Sequence, residues 1–290
     1  MSIKERGYAH WDGELIQGRF PWKPITRYGI KLTFKKKFFK FTFFLALLPS
    51  LVFLVGIYIS ERLDNFQSMI QEETFFLLNL SPAYFNSYFS NGYLLFMITI
   101  ILIFAGSGLI SDDLRHNSLQ LYLSRPLKRR DFFIGKISVL LFFLSVLTLI
   151  PGLLLFLLKL VFAGNFRFFS QYPWLPLSII GFSVFISVFF SLYALFLSSL
   201  STNRRYVAIL IFGLYPFTDI LFGIFYGIFR NPYFSLLSLK NNIQQVSAFF
   251  FRQTPVFNVP WIYSVLILAG ICVAAVLVLR SRVKGVEIIK

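Results

Sequence analysis

Six long apolar runs decide what this chain can become. They are Phe38–Ile59, Tyr93–Ile110, Ile137–Phe162, Leu175–Leu200, Tyr206–Phe229 and Val259–Leu279. Each is close to or above the roughly 20 residues that cross the hydrocarbon core of a bilayer. No water is available there to satisfy the backbone, so each run is expected to be a helix that closes its own hydrogen bonds. Composition agrees: 57% of the 290 residues are hydrophobic and 20% are aromatic, above the roughly 45–50% apolar usage of soluble domains. The expectation is an all-α integral membrane protein with six transmembrane helices.

The distribution of charge sets the orientation. Lys and Arg number ten in the first forty residues, six in Ser111–Lys136, two in Ser201–Arg205 and four after Leu279, which is 22 of the 28. All four stretches fall on one side of a six-span chain, so the positive-inside rule places both termini in the cytoplasm. The net charge of +16 therefore flanks the apolar runs and does not form a basic domain, which argues against nucleic acid as a partner. The division expected is a cytoplasmic N-terminal segment (1–37), the membrane domain (38–279) and a cytoplasmic tail (280–290). External segments lie at 60–92, 163–174 and 230–258. The charged first 37 residues show no signal peptide. Cys272 is the single cysteine and makes no intrachain disulfide.

Several local features carry their own expectations. Pro49, Pro151 and Pro216 should kink their helices. Acids alternate with "FFLL" in Glu61–Asn91, which could form a short helix on the outer surface, and "NNIQQVSAFFFRQTP" reads as amphipathic or interfacial. Lys159 reads as an end residue that snorkels. Before the first span, "WKPITRYGIKLTFKKKFFKF" reads as a short amphipathic helix on the membrane surface. Pro24 lies near its start, and Trp22, Arg27, Tyr28, Lys31 and Lys35 would face headgroups and interface.

Signatures of chemistry are scarce. The chain has no G-x-x-x-x-G-K-[ST] phosphate loop and no H-E-x-x-H pair, and its histidines, His10 and His116, are far apart. "GSGLIS" is better explained by small residues at a helix contact than by a nucleophile elbow. Asp219, inside the fifth run, has two readings: a translocation-path or proton site, or a structural partner for Thr218, a tyrosine or a neighbouring helix.

The most informative stretch is "SDDLRHNSLQLYLSRPLKRRDFFIGK", Ser111–Lys136. It is too long for an ordinary turn between adjacent helices, which takes 2–8 residues. Ser111 or Asp112 could cap a short helix there, Leu119, Leu121, Tyr122 and Leu123 could anchor it in a partner's cleft, and Pro126 would end it. Arg115, Arg125 and Arg129 would set register around those anchors.

This stretch resembles the loop between the second and third spans of ABC-2 type transporter permeases. Asp113 matches the family's acid, Leu119 its leucine, Leu123-Ser124-Arg125-Pro126 its Leu-Ser-x-Pro and Gly135-Lys136 its Gly-Lys end. Asn117-Ser118 replaces a Gly-Thr step. The resemblance implies an ABC-2, type V exporter-like fold and a permease subunit that forms a pathway as a dimer, with a second copy or a sister permease. Two separate ATPase subunits would bind ATP and Mg, so this chain would hold no cofactor, and the loop, from Asp113 and Arg115 to Pro126, would carry the coupling helix. The composition suggests a hydrophobic or amphiphilic substrate, and the resemblance implies a location in the cell's inner (cytoplasmic) membrane. Two other classes stay open: a motor-independent carrier using Asp219, and a membrane scaffold recruiting a cytosolic partner.

Overall fold

The computed structural model describes residues 20–62, 81–118 and 129–282. Among them there is helix and no strand. Six helical stretches are long and apolar enough to cross a membrane: Lys37–Glu61, Pro82–Arg115, Arg129–Ala163, Leu175–Leu200, Arg204–Phe229 and Trp261–Arg282. Buried residues make up 61, 56 and 61% of the apolar windows of the second, third and fourth spans, against 28, 17 and 22% for the first, fifth and sixth. The middle three therefore form the core, and the others present wide apolar faces outward.

Two of the three prolines interrupt their spans. The first span is divided at Leu47 and the third at Thr148, just ahead of Pro49 and Pro151. Proline has no N–H to offer the carbonyl four residues back. Those carbonyls belong to Leu45 and Leu147, and each is met by a tyrosine: Tyr93 donates to Leu45 O at 3.1 Å and Tyr88 donates to Leu147 O at 3.0 Å. The fifth span continues helical through Pro216.

Residues 63–80 of the first external segment, with its "FFLL", lie outside the described residues; the described end of that segment and the second one fold into the bundle. Pro82–Phe89 is a helix that buries Tyr84, Phe85, Tyr88 and Phe89, and Phe89 packs against Phe182 and Phe251 with centroids 5.3 and 5.4 Å away. After the fifth span, a 3-10 turn (Pro232–Leu237) leads into a helix, Leu239–Phe250. That helix buries Asn241, Asn242, Gln245 and Ser247 along with Leu239, Ile243 and Val246. The reason is hydrogen bonding: Asn242 donates to Leu236 O and Ser238 O, both at 2.8 Å, and Ser247 donates to Asn86 Oδ1 at 2.7 Å. Its polar face is matched by protein, not by headgroups.

Lys159 is also corrected. It is buried and paired with Glu61, its ammonium 5.3 Å from the centre of the Phe168 ring. The pair ties the end of the first span to that of the third.

Candidate functional site at the base of the second and third spans

The basic end of the bundle is organised by the residues that flank Asn117 and Arg129. The second span breaks at Ser107 and resumes as a helix from Gly108 to Arg115. The helix start expected at Ser111 or Asp112 is therefore moved to Gly108, and Ser111 and Asp113 lie buried within it. Small residues make the break possible, as "GSGLIS" suggested. A Cβ on Gly106 would stand 3.1 Å from that of Ala194 on the fourth span. Ser198 of that span accepts from the amides of Ile110 and Ser111, both at 3.1 Å, and donates to Ser107 O at 2.9 Å.

Asp113 turns inward. Its carboxylate meets the Lys136 ammonium at 2.7 Å, with the two side chains only 12 and 11% exposed. The acid that opens the sequence motif and the lysine that closes it are thus one ion pair, at the base of the connection between the two spans. Arg129 begins the third span and is exposed. Arg115 ends the helix that carries Asp113 and is likewise exposed. Leu119, Leu121, Tyr122, Leu123, Arg125 and Pro126 lie outside the described residues.

Gly135 serves a different neighbour. The N-terminal helix expected from the sequence is present as Trp22–Phe34, and it lies across the third span at this glycine. A Cβ there would stand 2.9 Å from Ile25 Cβ and 3.2 Å from Trp22 O. Thr26 donates to Gly135 O at 3.1 Å, and a Cβ on Gly29 would meet Val139 at 2.6 Å. Around this packed face, Lys23, Arg27, Lys31 and Lys35 recur at a four-residue spacing and are all exposed. Pro24, Tyr28 and Leu32 form an exposed stripe next to them, and Trp22 sits half-buried at the helix start.

Asp219 is held at the opposite half of the fifth span. Ser238 donates to its Oδ1 at 3.0 Å, and the Lys240 ammonium is 3.8 Å from Oδ2. Next to it, Thr218 Oγ1 accepts from the Leu239 amide at 3.3 Å. Ser238 Oγ also accepts from the Asn241 amide at 3.2 Å, so Asp219 and Thr218 together grip the start of the Leu239–Phe250 helix. Both the hydroxyl and the ammonium that meet Asp219 come from the segment that follows the fifth span.

Two functional features escaped the sequence: the Asp113–Lys136 closure, and the meeting of Lys36 with Arg204 on the Phe104 carbonyl, at 3.0 and 3.3 Å. The signal for the second was present as basic residues at two span starts, but only the break at Ser107 exposes the carbonyl that unites them.

Six apolar helices, a broken second span and an ion pair that joins its base to that of the third define a multi-pass membrane protein. Residues 31–281 match the family described as ABC-2 family transporter protein. The match covers most of the chain, which belongs to the ABC-2 transporter family as a permease. Membership implies partnership with ABC ATPase subunits. No curated protein matches the sequence.

Proposed function

We propose that this chain is the membrane half of an ATP-driven exporter, in which separate ATPase subunits dock on Ser111–Lys136 and move the helices between inward- and outward-facing states. The observation that carries this is the buried Asp113–Lys136 pair. A push delivered to the loop is not absorbed by a slack connection, because the loop's two roots are locked to each other. The surface helix on Gly135 and the fourth span on Ser198 are locked to the same base. Motion of the loop therefore moves second, third and fourth spans together.

The finer parts of the proposal are these. The basic end faces the cytoplasm of the inner membrane. Two permeases, identical or sister chains, enclose the pathway with two ATPases below, and the cargo is hydrophobic or amphiphilic. Leu119, Leu121, Tyr122 and Leu123 anchor in the ATPase, since a buried leucine contributes about 1.5–3 kcal/mol and exposed ion pairs only about 0–1 kcal/mol. Arg115, Arg125 and Arg129 set register, and Pro126 stops the coupling helix. The carrier reading has less support, because Asp219 is engaged by Ser238 and Lys240.

The test is affinity purification of the tagged chain from its own membranes. A stoichiometric polypeptide with a phosphate-binding loop and vanadate-sensitive ATP hydrolysis are expected. Leu119→Asp, or Leu121→Ser with Leu123→Ser, should remove both while leaving membrane insertion intact. A purified chain that transports without such a partner overturns the proposal.

A further inference from the structure

A cavity of about 480 Å³ opens beside the loop base, between the N-terminal helix, the break in the second span and the start of the fifth. Its polar end holds Lys36 and Arg204, which share the Phe104 carbonyl at 3.0 and 3.3 Å. Arg204 Nε also donates to Ser107 Oγ at 3.2 Å. Among the described residues neither cation forms an ion pair with a carboxylate. The other charged groups on the cavity are Asp112, Asp113 and Lys136; the last two neutralise each other, and Asp112 leans over Gly108. Two like charges on one oxygen, half out of water and faced by the single uncompensated carboxylate of Asp112, keep a net positive charge at this end that suits an anion. Apart from Thr33, the rest of the lining is mainly apolar, with Ile25, Tyr28, Leu32, Leu109 and Val139. Tyr28 and Leu32 are 66 and 48% exposed, so the apolar wall runs out onto the stripe that the N-terminal helix presents to its surroundings.

From this juxtaposition we propose that the cavity binds the phosphate of an anionic phospholipid between Lys36 and Arg204, with its acyl chains along Ile25, Tyr28, Leu32 and Val139. This rests on the reading that the basic end meets the headgroups of one leaflet. Shape and charge agree on the ligand: a phosphate presents several acceptor oxygens to the guanidinium fork and the ammonium, and only an amphiphile uses the apolar wall as well. The bound lipid fills the joint between surface helix and second span, so it sits at the point that the loop base must move.

A pH dependence follows. Burial, and after it the neighbouring Arg204 charge, pull the Lys36 pKa down to about 8, with Asp112 pulling the other way. The facing groups from the packed elements are Asp112 and Asp113 of the second span, Lys136 of the third and Arg204 of the fifth, with Tyr28 from the N-terminal helix. A bound phosphate stabilises charged Lys36 and raises its pKa. Binding near and above pH 8 is then accompanied by proton uptake, and affinity falls as pH rises through that value.

The test uses the full chain in neutral detergent, titrated with phosphatidylglycerol, phosphatidylcholine or inorganic phosphate. Retained lipid is counted by native mass spectrometry, and Tm is followed in parallel. Phosphatidylglycerol is expected to be retained and to raise Tm, with phosphatidylcholine and inorganic phosphate at the same concentration giving little. Lys36→Gln and Arg204→Gln should each lower phosphatidylglycerol affinity about tenfold, the loss of one charge-assisted contact. Arg130→Gln and Arg205→Gln remove the same charge from exposed positions at the same end of the bundle and should change nothing. Lys36→Arg should keep the affinity and flatten its fall between pH 7 and 9, an outcome that decides the matter even where a glutamine variant fails to accumulate. Equal losses in both pairs, a pH profile unaltered in Lys36→Arg, or inorganic phosphate as effective as the lipid overturns the proposal. No ATPase or transport enters these readouts, so their failure leaves the permease reading standing.

Discussion

At the scale of single residues, the basic end rests on Gly135 and Lys136, adjacent in sequence and different in task. Gly135 leaves room for the Trp22 carbonyl and Ile25, whose approach a Cβ would bring to 3.2 and 2.9 Å. One of those contacts is backbone and cannot swing aside, so Gly135→Val should lift the N-terminal helix. Proteolysis within residues 20–36 is expected to accelerate severalfold while the span helices persist by circular dichroism; unchanged cleavage would show that the helix is held elsewhere. Lys136 answers Asp113, and removing one partner of a buried pair costs about 3–5 kcal/mol, because the other charge stays behind. Asp113→Leu and Lys136→Met should each lower the thermal stability of the detergent-solubilised chain markedly, while the double variant recovers much of the loss. Additive effects would mean that the pair is not the staple described. The motif was visible in the sequence as a spacing of 23 residues, but its closure was not. Whether Asp113 faces Lys136 depends on where the second span breaks and on the phase with which its helix resumes at Gly108.

At the scale of elements, the bundle tolerates broken helices because tyrosines from other helices complete them. Sequence alone marked Pro49 and Pro151 as kinks, since the missing N–H is a property of proline itself. The acceptors' new partners, Tyr93 and Tyr88, could not be read, because they come from helices 44 and 63 residues away and meet the breaks only once packed. Tyr88 is fully buried, so Tyr88→Phe leaves the Leu147 carbonyl unpaired in an apolar interior, a cost of about 1–3 kcal/mol. Pro151→Ala restores an N–H at the right position, so its addition to Tyr88→Phe should return part of that loss. If Pro151→Ala instead adds to the damage by its full single-variant effect, the hydroxyl is not repairing the proline. The same dependence on packing explains the Leu239–Phe250 helix. Its alternating polar and apolar residues are equally consistent with a headgroup surface, and only the presence of Asn86, Leu236 and Val259 as partners decides for the interior.

At the scale of the whole molecule, the six spans were legible because hydrocarbon imposes length and apolarity on each one separately. Their unequal burial was not, since a lipid-facing helix and a core helix can have the same composition. Apolar exposure along the fifth span does not by itself call for a protein neighbour, because acyl chains solvate Ile209, Phe212 and Ile220 as well as another helix would. Asp219 breaks that symmetry. It lies about 22 Å along the helix from Arg204, by a rise of 1.5 Å per residue, and so well inside the bilayer. Its side chain and that of Lys240 are still 37 and 34% exposed, at a separation of 3.8 Å. Carboxylate and ammonium left partly bare to lipid are costly, and intramembrane charges face water-filled cavities or protein instead. The fifth-span face around Asp219 is therefore expected to border the pathway or a second permease, even though the carboxylate's own bonds are structural. In a Cys272→Ser background, Ile220→Cys should cross-link to a second copy or a sister permease with a short bis-maleimide, whereas Leu277→Cys on the sixth span should not. Light scattering of the detergent complex should give the mass of two permeases. A monomeric mass together with no cross-link at position 220 would place Asp219 against lipid and remove the case for a paired pathway.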